Sequence, residues 1–172
     1  MSVKSALEQA TKSMLDAMVP PALGEADILE TLEIEHDEVQ ELLGKLTDST
    51  NAREQKSLVM RIKKALVPHA RAEEKVVYDA VLALKGKEAK IEGNEGYLEH
   101  GLADATLKKL EKLKPNTPEF NAAAKVLKEL LDHHIKEEES DIWAQVRDNF
   151  THEQRAQMDR DFRAAKKKVK VA

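Results

Sequence analysis

The residues best suited to chemistry lie in LLDHHIKEEESDIW, Leu130 to Trp143, where two adjacent histidines precede three glutamates between apolar ends. A second stretch, PHARAEEKVVYDAV, repeats the pattern. Aligning the adjacent glutamates puts His69 on His134, Glu73 on Glu138, Glu74 on Glu139 and Tyr78 on Trp143. Upstream, IEHDEVQELLGKL matches LEHGLADATLKKL, with His36 on His100 and Leu46 on Leu110. His69 follows His36 by 33 residues and His134 follows His100 by 34. The chain therefore reads as two helical hairpins in tandem. Each carries one histidine on its first helix and an H-x-x-x-E on its second.

Residues i and i+4 project from one face of a helix, so His69 and Glu73 reach one point, as do His134 and Glu138. All four histidines fall on stripes that should face a bundle interior. An ionised carboxylate there is costly unless paired or metal-bound, and a shared metal centre is the simplest solution. Four imidazole nitrogens and two carboxylates suit iron, manganese or zinc better than calcium or a thiolate-seeking metal. Glu73 and Glu138 each have two oxygens and can span two ions. Each ion would then hold two histidines and two bridging oxygens. Six-coordinate iron would keep places for a bridging oxo or hydroxo group and for one exogenous ligand. Paired metals are a known catalytic arrangement.

The elements that must carry these groups follow from periodicity and caps. SALE, from Ser5, can open an amphipathic helix that stops at Pro20-Pro21. The next helix runs from about Asp27 to Thr47, with Leu29, Leu32, His36, Val39, Leu43 and Leu46 on one stripe. Asn51 starts a long helix to about Leu84, with Pro68 bending it. KGKEAKIEGNEG reads as a break at the midpoint, so a third helix starts near Tyr97 and ends near Lys114. Thr117 caps a fourth, which has Pro118 in its first turn and runs to about Asn149; THEQ opens a last helix at Thr151. No segment alternates as a strand would. The expected fold is all-α: an antiparallel four-helix bundle over residues 27–149, flanked by a short helix within 1–26 and by a helix with a basic tail in 150–172.

Composition agrees. The chain has 172 residues, 35% of them charged and 3% aromatic, with 6 Gly and 5 Pro. Net charge is -4 with no basic half, so nucleic acid is not the expected partner. The tail KKKVK reads as a helix end where cations suit the dipole. Cysteine is absent, which excludes disulfides, thiolate sites and cysteine nucleophiles. No apolar run approaches the roughly 20 residues of a membrane span, and the N-terminus lacks a continuous apolar signal segment. A cytoplasmic protein with no membrane partner is expected.

The four phased histidines, two of them opening H-x-x-x-E, resemble the hemerythrin-like proteins with the HHE cation-binding domain, over roughly residues 27 to 148. The resemblance implies a non-haem di-iron centre of Fe–O–Fe type, with manganese or zinc as substitutes. Its ligands would be His36, His69, Glu73, His100, His134 and Glu138. Its function would be to bind or react with dioxygen, hydrogen peroxide or nitric oxide. The alternative is a non-catalytic module that senses iron or oxygen or stores iron. Oxygen-carrying members have a fifth histidine where this chain has Asp104, and an aspartate five residues after the last histidine where it has Glu138 at four. Fewer histidines and more carboxylate favour ferric iron, and reaction over reversible oxygen carriage.

Neighbouring groups have plainer roles. Glu74 and Glu139 lie about 100° round their helices from the bridging glutamates and read as solvated charges or as partners of the ligands. Asp104 is expected to hydrogen-bond a histidine. Tyr97, Tyr78 and Trp143 read as packing residues, the last two near one bundle end. His133, whose repeat mate is Pro68, forms a competing H-x-x-x-E with Glu137 and is read as surface or outer partner. His152 is expected to be exposed. Residues 5 to 18 would cover one end of the bundle or touch another subunit.

Overall fold

The structure is a computed structural model that describes residues 26–171; the flanking helix expected at residues 5 to 18 lies outside them. Helix α1 is Ile28–Asp48. Helix α2 starts as Ala52–Glu73, passes through a π turn at Glu74–Tyr78 and ends as Asp79–Leu82. Helix α3 is Lys87–Lys112. Helix α4 starts as Pro118–Glu137, passes through a π turn at Glu138–Ile142 and ends as Trp143–Asn149. Helix α5 is His152–Lys166. No strand occurs among the described residues. Helices α1 to α4 form the expected antiparallel bundle, each packed on its two neighbours, and α5 lies across α1 and α2.

The starts follow from their caps. Asp27, Asn51 and Thr117 each accept a backbone N–H with the side chain, and Thr151 with Gln154 completes a capping box. One boundary differs from expectation. KGKEAKIEGNEG is not a break: α3 begins at Lys87, nearly three turns before Tyr97. Its glycines serve proximity rather than flexibility. A Cβ on Gly93 would stand 2.8 Å from Leu82 Cγ, and one on Gly96 would stand 2.7 Å from the Tyr78 ring. Glycine thus lets α3 lie close against the end of α2, at a propensity cost of about 1 kcal/mol each relative to alanine.

The π turns were not foreseen. The first follows Glu73 and the second includes Glu138, so the two hairpins depart from α geometry at places one residue apart in the aligned repeat. One extra residue per turn re-aims the side chains beyond it. The apolar core is split in two. One cluster, around Leu43, Leu46, Ile62, Leu107, Phe120 and Leu127, fills the far end of the bundle. The other, around Ile28, Leu32, Tyr78, Val81, Val146 and Phe162, fills the near end. Each fully buried large side chain contributes roughly 1.5–3 kcal/mol. The layer between them holds the four histidines and two glutamates. No helix among the described residues is long and apolar enough to cross a membrane.

Candidate metal centre

His36 (α1), His69 (α2), His100 (α3) and His134 (α4) are 2–3% exposed, and Glu73 and Glu138 are 0% and 2%. Such burial needs partners, and every ring has one at Nδ1. His36 Nδ1 lies 2.9 Å from Glu139, His69 Nδ1 2.9 Å from Glu35, His100 Nδ1 3.1 Å from Glu74, and His134 Nδ1 2.6 Å from Glu99. A carboxylate only accepts, so each Nδ1 carries the proton and each Nε2 is left to face the interior. This arrangement fixes ring orientation and raises the basicity of a ligating nitrogen.

The four pairs obey the repeat. Glu74 and Glu139 each reach the first-helix histidine of the opposite hairpin, while Glu35 and Glu99 each hold the second-helix histidine of their own. Glu74 and Glu139 are thus partners rather than solvated charges. Glu35 and Glu99 carried an overlooked signal: each immediately precedes a histidine in both copies, as IEH and LEH.

Inside, Glu73 Oε2 lies 3.2 Å from His69 Nε2 and 3.6 Å from His100 Nε2. Glu138 Oε2 lies 3.4 Å from His134 Nε2 and 3.6 Å from His36 Nε2. Each carboxylate therefore touches both hairpins. Two groups, His36–His69–Glu73 and Glu73–His100–His134, have donor atoms within 4.8 Å of one another. His36 Nε2, Glu73 Oε1 and both oxygens of Glu138 have no hydrogen-bond partner. Orphaned buried donors and acceptors of this kind, all N and O, fit metal ligation. A small cavity lined by all four histidines has an apolar floor of Val39, Leu66, Leu131 and Ile135.

Charge in this layer is uneven. Burial alone would lower His69, but Glu73 and Glu35 outweigh it and push the imidazole up to about 9. Burial would likewise raise Glu73, yet the His69 charge holds it far below the usual carboxylate range. Glu138, its repeat mate, is raised well above that range by burial and by the negative charge of Glu73. Burial lowers both His36 and His100.

The remaining expectations divide. Tyr78 is not packing alone: its buried hydroxyl lies 3.3 Å from His100 Nε2, 3.4 Å from His134 Nε2 and 3.5 Å from Glu73 Oε2. No local pattern announced this, because its mate Trp143 is apolar in its contact, stacked on His36 at 6.0 Å between ring centres. Tyr97 instead bonds Asp79 at 2.8 Å and the Glu74 carbonyl at 3.0 Å. Asp104 does not reach a histidine; it pairs with Arg71, which also holds Glu74. The Arg71 guanidinium between these carboxylates outcompetes the imidazole for Asp104. His133 is exposed, 3.3 Å from Glu137, and His152 is exposed.

The hemerythrin HHE cation-binding domain model matches residues 27–146. The chain belongs to this family. With the buried His/Glu groups, that makes it a metal-binding, hemerythrin-like protein. A protein of Nostoc sp. described as a DNA nickase is 29% identical over 143 residues, 83% of this chain and 40% of that protein. The chain thus spans less than half the length of that relative. No solved structure matches.

Proposed function

We propose that this hemerythrin-like chain holds a non-haem di-iron centre on His36, His69, Glu73, His100, His134 and Glu138, and uses it to bind or react with dioxygen, hydrogen peroxide or nitric oxide. The observation that carries the reading is the set of four histidines whose Nδ1 atoms are all held by carboxylates, with Nε2 turned toward Glu73, one of whose oxygens has no hydrogen-bond partner, and Glu138, neither of whose oxygens has one. His36 and His69 would hold one ion, His100 and His134 the other, and Glu73 and Glu138 would bridge. A bound iron pair supplies redox chemistry and an open coordination place. The chain's own part is to shape that place. The apolar floor of Val39, Leu66, Leu131 and Ile135 would keep bulk water from that place. The Tyr78 hydroxyl can donate a hydrogen bond on the His100–His134 side.

The test is anaerobic loading with ferrous iron followed by air or peroxide. Two irons per chain and new near-ultraviolet absorption are expected; two bound irons with unchanged spectra would sink the proposal.

A second reading, a sensing module, has one specific support. Helix α5 touches the site directly: Phe162 meets the His69 ring edge-on at 5.7 Å, and Lys166 Nζ lies 2.6 Å from Glu35. A change at His69 would be felt by α5. The cleavage of DNA named for the longer relative is not carried over, because carboxylates around the site would repel a phosphate backbone.

A further inference from the structure

The repeat that orders the ligands fails on the outside of the bundle. On the first hairpin, α1 carries Ile28, Thr31 and Glu35 on the side that α5 covers. Thr31 bonds Asp159 and Arg163 of α5, and Lys166 sits on Glu35. The equivalent positions on α3 are Glu92, Glu95 and Glu99, and no helix among the described residues lies over them. Facing them on α4 are Glu137 and Asp141, where α2 has Ala72 and Val76. These five carboxylates rim a narrow pocket of about 20 Å³ that reaches His134 and Glu138. Such a space holds one water or one ion.

An acidic rim alone would signify little. Here it ends on Glu138, which is 2% exposed and has no hydrogen-bond partner for either oxygen. Glu99, His133 and Glu137 also bring donor atoms within 4.8 Å of one another at the mouth. The first hairpin supplies the comparison: there a cation, the Lys166 ammonium, already occupies the carboxylate equivalent to Glu99. Burial, and the charge of Asp141, hold the Glu92 carboxyl above its ordinary range, as expected of a groove short of positive charge.

We propose that the acid-lined groove between α3 and α4 is the route by which a divalent cation reaches the buried centre, with Glu99, His133 and Glu137 as its outer resting place and Glu138 as the ligand that receives it. The inference rests on the metal-centre reading above. A hydrated cation sheds water in steps, and a row of carboxylates replaces those waters one at a time. The same row raises the local cation concentration by electrostatic focusing.

The test mixes metal-free protein with cobalt(II) alone, whose visible absorption reports filling, and follows the rate by stopped flow. Glu95→Gln with Asp141→Asn should slow uptake about tenfold and weaken its salt dependence. The final cobalt per chain and the final spectrum should not change. His133→Ala should also slow uptake with the same end point. Glu41→Gln with Glu129→Gln, exposed elsewhere, should fill at the parent rate. Uptake by the groove variant at the parent rate, or equal slowing by the control, overturns the route while leaving the centre intact. No cobalt bound by the parent protein overturns both.

Discussion

The two hairpins each carry three inward groups, two histidines and a glutamate, in the same register but stand in different surroundings. The first has α5 over it, an ammonium on Glu35 and the Trp143 indole against His36. The second has an acidic flank that no helix covers among the described residues, the Tyr78 hydroxyl beside His100 and His134, and an Arg71–Asp104 pair that steadies Glu74. The positions equivalent to Arg71 and Asp104 are Lys136, which is exposed, and Gln40, which bonds Asp132 at 3.4 Å. A duplicated core with unequal edges teaches that ligation and access are separable. The symmetric layer sets which atoms converge. The asymmetric layer sets how each half is reached and what meets a small molecule there.

The largest test removes ligands in pairs of mates. His134→Ala and His69→Ala should each weaken metal binding by more than ~100-fold, since loss of an outer partner alone costs 10–100-fold. His133→Ala, its exposed neighbour, should keep the full metal count. Metal per chain by elemental analysis checks this, and retention of both ions by His134→Ala would break the proposed equivalence of the hairpins.

Next is the charge asymmetry of the metal-free protein. His69 is raised to about 9, above its ordinary 6.5, so its charged form stabilises the fold fully below about pH 6.5. That contribution is lost as pH rises through about 9 and amounts to about 3 kcal/mol. Denaturant melts of metal-free protein across that range should show the decline, and His69→Ala should abolish it. Metal binding displaces the His69 proton and ionises Glu138, so affinity should rise with pH over the same span.

The outer carboxylates give a finer comparison. Glu35→Gln and Glu99→Gln should each cost 10–100-fold in metal affinity. Only Glu99→Gln should also slow uptake, because Glu35 lies beneath Lys166. Equal uptake rates in the two variants would show that the flanks do not differ in access.

The smallest effect concerns Tyr78 and Trp143. Tyr78→Phe should alter the absorption and rate of the iron-loaded protein with peroxide, while changing stability by about 1 kcal/mol. Trp143→Phe should change stability and leave the spectrum alone. Spectra that shift in both variants, or in neither, would remove the distinction drawn between the two sides.

Much of this was legible in the residues themselves. Stripe periodicity and capping residues located α1, α2, α4 and α5, since a 3.6-residue repeat and an orphaned N–H leave local marks, whereas α3 starts ten residues before its expected place. The repeat singled out the six inward groups, because i and i+4 on one stripe must share a face. Where local rules failed, the cause was contact between helices. Gly93 and Gly96 look like breakers until Leu82 and Tyr78 are found where their Cβ atoms would be. Asp104 resembles a histidine partner until Arg71 claims it. Glu35 and Glu99 were visible as a repeated dipeptide, but which histidine each holds depends on how α1 meets α2 and α3 meets α4. Local rules of periodicity and capping fixed most helix bounds and the inward faces that bury four histidines and two glutamates, because these are properties of one helix at a time. That Tyr78 joins the histidine and glutamate layer, that α5 covers one flank and that no described helix covers the other rest on packing, because they depend on distances between chain segments far apart in sequence.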